Sequence, residues 1–339
     1  LWGMTYTIMD IPYWSMIPAL TSSKEEREQV AVIPRIFAST AWLIMGTFGL
    51  SIVKKLGNGN VVKGYSSFAV VIAVAFIISA IITCLNVKER VETPKNAEKV
   101  SFKQTLNIIR KNDQLVVFIG IVLGMNLIMQ ISGSMAIYYF TYVVGKESLF
   151  SVYQAFAGIA EISGLVLLPI LTKKIGREDV FKFGSILPIA GFLLLFVAGI
   201  VAPQNALFIG MAGAILKLGS GFLLGSTTIM LADVVDYGEF KLGTRNESIV
   251  FSVQTLLVKG ASAVAGWLVG VGLSLVGYVA GEVQSATTIL GMRVIMIWIP
   301  IVCAIVMYTI YKSKYKINGK FHDDMLVELE KRKKANDAI

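Results

Sequence analysis

Trp2, Tyr6, Asp10 and Trp14 stand four residues apart in LWGMTYTIMDIPYWSMIPAL, a run whose one charged residue is Asp10. On a helix each step of four turns 400°, so these side chains share one broad face. A carboxylate there can accept hydrogen bonds from two adjacent hydroxyls, and an indole covers the apolar C–H side of a pyranose ring. Arg35, in the next apolar run, supplies a guanidinium that donates to further hydroxyls. The pattern suits recognition of a polyhydroxylated ring. A structural ion pair between Asp10 and Arg35 is the plainer alternative. Trp2 is assigned to the interfacial aromatic belt and Trp14 to the ring-binding face.

A second group lies in SIVFSVQTLLVKGASAVAG, where Gln254, Thr255 and Lys259 fall within about one and a half helical turns. Thr255 and Lys259 share a face, and Lys259 sits too deep in its run to reach water easily, which points to a polar interior. Glu161 and Lys217 are further intramembrane charges with no partner evident from sequence. Arg293 lies near the end of its run and is expected to snorkel outward.

The elements that must carry these residues are membrane helices. Of 339 residues 55% are hydrophobic and 16% charged, and the mean hydropathy of +0.70 exceeds what a soluble core requires. Nine apolar runs are long enough to span a bilayer: 1–20, 30–53, 66–86, 115–144, 151–172, 183–202, 206–232, 248–275 and 289–311. The fourth is long enough to be tilted or broken, and β-barrel alternation is absent. The fold class is therefore an all-α polytopic bundle.

Charge distribution orients it. Of the 31 Lys and Arg, 23 lie in segments sharing a side with the C-terminal tail, four (Lys54, Lys55, Lys63, Lys146) on the other side, and four (Arg35, Lys217, Lys259, Arg293) inside the runs. The positive-inside rule places the tail in the cytoplasm. The formal charge of +9 is thus a topology signal, with no basic face for nucleic acid. The first run then leads inward and the second outward, which sets Asp10 and Arg35 at similar depth, offset by about 6–7 Å along the axis. Pro12, Pro18 and Pro34 suit bent helices around a cavity.

The expected organisation is a three-helix remnant of an N-terminal bundle (1–86), a cytoplasmic central loop (87–114), a six-helix C-terminal bundle (115–311) and a cytoplasmic tail (312–339). Nine spans ending inside, with no signal peptide and Leu in place of an initiator Met, lead us to expect that three helices precede Leu1.

Enzyme chemistry finds little support. His322 is the single His and lies in the charged tail, Cys84 and Cys303 stand apart in apolar runs, and no HExxH, CxxC or Walker A spacing occurs. LKLGSGFLLGS mimics a phosphate loop without the Gly-Lys-Ser/Thr and is read as a seam for close helix approach. The segment DVVDYGEFKLGTRNE, 233–247, is read as a cytoplasmic loop in which Asp233, Asp236 and Glu239 pair with Lys241 and Arg245 and help close that side.

LWGMTYTIMDIPYWSMIPALTSSKEEREQV, LADVVDYGEFKLGTRNESIVFSVQTLLVKG and RKNDQL together resemble the glycoside-pentoside-hexuronide:cation symporters of the major facilitator superfamily, and Asp-Ile-Pro-Tyr-Trp resembles the melibiose-carrier branch. The resemblance runs from Leu1 into the tail, whereas TKKIGRED is a degenerate echo of a superfamily loop. It implies the fourth to twelfth helices of a twelve-helix carrier, an α-galactoside as substrate and Na+ (or H+ or Li+) as coupling ion, with no other cofactor or metal. It also implies galactoside contacts at Asp10, Trp14 and Arg35 with Tyr6 beside them, further contacts at Gln254, Thr255 and Lys259, and a cation-site hydroxyl at Thr7. Leu224 stands where the family carries an aromatic residue, and the family's ion-binding carboxylates belong to helices before Leu1. A membrane sugar sensor or regulatory protein is the alternative from another class, and a polytopic membrane enzyme a remoter one.

Overall fold

A hydrocarbon solvent obliges each apolar run to close its own backbone hydrogen bonds. The computed structural model, which describes residues 5–6, 8–9, 13, 24–87, 102–244 and 247–337, meets that demand with helices and, among the described residues, no strand. The chain divides into two units, Leu1–Lys99 and Val100–Ile339. In the first, α1 (Lys24–Gly57) and α2 (Val61–Asn86) form a hairpin. The Asn60 side chain caps α2 by accepting the Lys63 N–H at 3.0 Å.

The second unit begins with the short α3 (Phe102–Lys111) and the long α4 (Asp113–Tyr138), which a π-helical turn, Tyr139–Val143, extends. There follow α5 (Ser148–Ile175), α6 (Arg177–Val201), α7 (Ala206–Leu242) and α8 (Glu247–Leu275). Next come α9 (Ala286–Arg293), a second π turn (Val294–Trp298), α10 (Ile299–Lys314) and α11 (Gly319–Asp337). Leu115, Phe118, Ile121, Ile131 and Met135 of α4 are fully buried, because α7, α8 and α10 all pack on this helix.

Among the described residues seven helices are long and apolar enough to cross a membrane: Val61–Asn86, Asp113–Val143, Ser148–Ile175, Arg177–Val201, Ala206–Leu242, Ile249–Leu275 and Ala286–Lys314. They coincide with seven of the nine expected runs. The run 30–53 lies inside α1, which is not among the seven, and 1–20 lies outside the described residues except at 5, 6, 8, 9 and 13. The long run 115–144 is continuous, its irregularity confined to the π turn at its end.

LKLGSGFLLGS does serve close approach. A Cβ on Gly221 would lie 2.4 Å from the Glu161 carbonyl oxygen, and one on Gly164 would lie 2.6 Å from that of Leu218, so α5 and α7 meet backbone to backbone.

The segment 233–247 is not the loop that its charges suggest. It is helical as far as Leu242, where the left-handed Gly243 (φ 74°) ends α7 by donating its N–H to Glu239. Val234, Val235 and Tyr237 are buried, so the helix has packing partners beyond the apolar span. The tail likewise packs: Ile317, Met325 and Leu329 are buried, and α11 lies along α7.

Candidate functional site

Two clusters of polar side chains in the second unit lie at the end of the bundle carrying the tail. Asn112 precedes α4, accepts the Leu115 N–H at 3.0 Å as its cap, and donates its amide to the Val234 carbonyl of α7 at 3.2 Å. Asp113 accepts from the Tyr237 hydroxyl at 2.8 Å, from the Lys241 ammonium and from the Gln114 amide at 3.2 Å, with Lys316 Nζ 3.7 Å away. Gln114 in turn accepts the Lys316 N–H at 2.9 Å. One carboxylate thus joins α4, α7 and the segment leading into α11.

A second node forms on Asp233. Arg177, the first residue of α6, approaches its carboxylate at 3.3 Å, and His322 Nε2 of α11 lies 3.2 Å from its other oxygen. His322 Nδ1 faces Asp323 at 3.5 Å. Farther along α11, Arg332 donates to the Phe240 carbonyl at 3.0 Å and lies over the Phe240 ring. Burial, and then the negative field of Asp233, push the Tyr315 phenol above its ordinary range, so it stays protonated beside this node. The cavity bordered by Arg177, Asp233, Tyr315 and Asn318 measures about 20 Å³, room for a water molecule and far too little for a sugar.

These pairings add partners that the expected ones did not include. The described partner of Lys241 is Asp113 of α4, because the helical course of 233–242 turns Lys241 toward the start of α4. Asp233 meets residues of α6 and α11, and His322, which sequence reasoning set aside as a tail residue, is 13% exposed and faces that carboxylate. Asp236 and Glu239 lie on α7 as well, while Arg245 is outside the described residues. Arg293 lies in the last turn of α9. It donates to the Gly199 carbonyl in the last turn of α6 at 3.2 Å, a position where the helix dipole favours a cation. The two unassigned charges find each other: Lys217 Nζ lies 2.7 Å from Glu161 Oε2.

Of the ring-binding candidates, Gln254, Thr255 and Lys259 stand on α8. Gln254 and Lys259 are half-buried, whereas Thr255 is exposed with its hydroxyl bonded to the Phe251 carbonyl at 3.1 Å. Tyr6 is helical and exposed. Thr7, Asp10 and Trp14 are outside the described residues, as is the side chain of Arg35, whose backbone belongs to α1. Asp113 and Gln114 escaped sequence reasoning although they stand in RKNDQL. The available signal was a helix-capping Asn followed by an acid just before an apolar run.

Comparison with known proteins agrees with this architecture. The model of the family described as MFS/sugar transport protein matches residues 1–319. The isoprimeverose transporter of Lactiplantibacillus pentosus is 31% identical over 98% of this chain and 69% of its own length. A putative sulfoquinovose importer of Salmonella typhimurium is 30% identical over 100% of this chain and 71% of its own. The raffinose carrier protein of Pediococcus pentosaceus is 27% identical over 96% of this chain and 52% of its own. A multi-pass helical bundle matched nearly end to end by sugar carriers is a transporter and not an enzyme: the chain belongs to the MFS/sugar transport family of the major facilitator superfamily.

Proposed function

We propose that the protein is an α-galactoside:cation symporter with its C-terminus in the cytoplasm. Two helical bundles, drawn from 1–86 and 115–311 and joined by the loop 87–114, would rock about a midplane site. Asp10, Trp14, Arg35 and Tyr6 hold the sugar from the N-terminal side and Gln254, Thr255 and Lys259 from α8. Thr7 contributes a hydroxyl to the site of the coupling ion, Na+ or alternatively H+ or Li+. The observation that carries the reading is the Asp-Ile-Pro-Tyr-Trp segment, with Asp10 and Trp14 four apart, in a chain similar to a raffinose carrier protein. Asp233, Asp236 and Arg245 help close the cytoplasmic end. The three-way meeting of Asp233, Arg177 and His322 supports this, since parting any one segment from that end breaks the Arg177 ion pair or the His322 contact to the same carboxylate.

A second reading, transport of a disaccharide other than a galactoside, is favoured by the 31% identity to the isoprimeverose transporter. Binding of labelled melibiose, raffinose and isoprimeverose to vesicles carrying the protein, with and without Na+, separates the two. The galactoside reading expects Na+ to tighten melibiose binding, and expects Asp10→Asn to weaken it by about ten- to a hundredfold through loss of a charged hydrogen bond. Binding of isoprimeverose alone, or melibiose binding indifferent to Asp10→Asn, refutes it.

A further inference from the structure

Glu161 stands near the middle of the 28-residue α5, roughly 20 Å from either end at the helical rise. Lys217 is about 16 Å into α7. Their side chains meet at 2.7 Å and each is 17% exposed. Both helices belong to the membrane-competent set, so the pair lies in the interior of a low-dielectric solvent in which neither charge is tolerated alone. It also lies one turn from the closest approach of the two backbones, with Gly164 three residues after Glu161 and Gly221 four after Lys217. α7 is the chief neighbour of α5, which touches the rest of the unit lightly. Besides the ring contacts of Phe150 and Tyr153 with Phe140 and the short connections at its two ends, this seam sets the axial position of α5 on α7. Small residues permit sliding, because a smooth seam offers similar packing one turn away. A charge pair does not, since one turn of slip is about 5.4 Å and leaves both charges unpaired in hydrocarbon.

We propose that Glu161 and Lys217 form a register clamp: a membrane-interior ion pair that fixes the axial position of α5 on α7, so that the two helices assemble and move as one body during transport. α7 carries Asp233 and Tyr237 at its tail end, so the clamp ties α5 to the element that bears the ion-pair nodes described above. This proposal needs only the transport fold, and its test involves no sugar, so a failure of the galactoside reading leaves it standing or falling by itself.

The test is a set of variants in the full chain, purified in detergent, with Cys84 and Cys303 replaced by Ala: Glu161→Gln, Lys217→Met, Glu161→Met with Lys217→Met, and the exchange Glu161→Lys with Lys217→Glu. Each is read for the fraction that remains monodisperse on heating. Each is also read for disulfide formation between cysteines placed at Leu168 and Gly225, about two turns from the pair along the same seam. Either single neutralisation should lower both readouts by about fivefold or more. The exchange should restore both, because it rebuilds the pair in the same register. The double methionine variant should recover heat resistance while cross-linking falls, because packing is regained without a charge to fix the position. Singles that match the parent protein overturn the clamp. So does an exchange variant no better than the singles, even if those fold poorly, and so does a double methionine variant that cross-links as fully as the parent.

Discussion

Replacing Gly221 by Ala tests how closely α5 and α7 are packed. The added methyl would lie 2.4 Å from the Glu161 carbonyl oxygen and 3.1 Å from Gly164 Cα, whereas a carbon approaches a carbonyl oxygen to about 3.3–3.6 Å. The axes must therefore part by about 1 Å. Backbone is the obstacle, so no rotamer change relieves it. Overpacking of this kind costs about 1–3 kcal/mol, and we place this case near the upper end because the whole seam opens with it. Gly225→Ala is the internal control. Its methyl meets the Leu168 Cδ1 at 2.7 Å, with nothing else nearer than 3.5 Å, and that terminal methyl can swing aside. The gain of about 0.5–1 kcal/mol in helix propensity from removing a glycine should leave this variant within about 1 kcal/mol of the parent. Unfolding of both variants in mixed micelles titrated with SDS measures the difference. Equal losses at the two sites, or no loss at Gly221, would show that the seam is looser than described and refute the reasoning.

Two further outcomes follow from the tail end. Asn112→Ala removes both the cap of α4 and the donor to Val234 and should cost about 1–3 kcal/mol in the same titration, while Asn112→Asp retains the capping acceptor and should lose less. The Tyr315 phenol is raised in the folded protein, so its contribution is fully present below the unfolded value of about 10 and is lost as pH rises through the higher folded value. Thermal unfolding followed from neutral to strongly alkaline pH should therefore show a smaller alkaline loss in Tyr315→Phe, and an unchanged profile would count against that burial.

The membrane-spanning helices of the second unit were legible because hydropathy over twenty residues is a local property. The seam at Gly221 was legible for the same reason, since small residues recur along one stretch of chain. The charge pairs between distant segments were not. Lys241 and Asp113 are 128 residues apart, and Arg177 and Asp233 are 56 apart, so sequence offered Lys241 only its neighbours on the same segment. Reading 233–247 as a loop followed from equating charge with irregular backbone. Once Tyr237 and Lys241 find Asp113 on an adjoining helix, α7 can continue past the apolar span without leaving its charges unpaired. Gln254, Thr255 and Lys259 were placed on one helix by their spacing, and α8 holds them there.

The two π turns, Tyr139–Val143 and Val294–Trp298, have a consequence for how the chain tolerates changes in length. Removing a residue from a regular α-helix rotates everything beyond it by about 100° and carries buried side chains out to lipid. A π turn holds one residue more than the α-helical path requires. Deletion of a single residue at either place lets the turn relax to α-helix while the flanking faces keep their phase. Tyr139 and Arg293, which begin the first turn and immediately precede the second, donate to the Leu195 and Gly199 carbonyls near the end of α6, so the upstream side of each turn stays pinned while the slack is taken up beyond it. Homologous carriers can therefore differ by one residue at these two places and preserve the same bundle, whereas the same change at the midpoint of α5 would turn half the helix away from its partner.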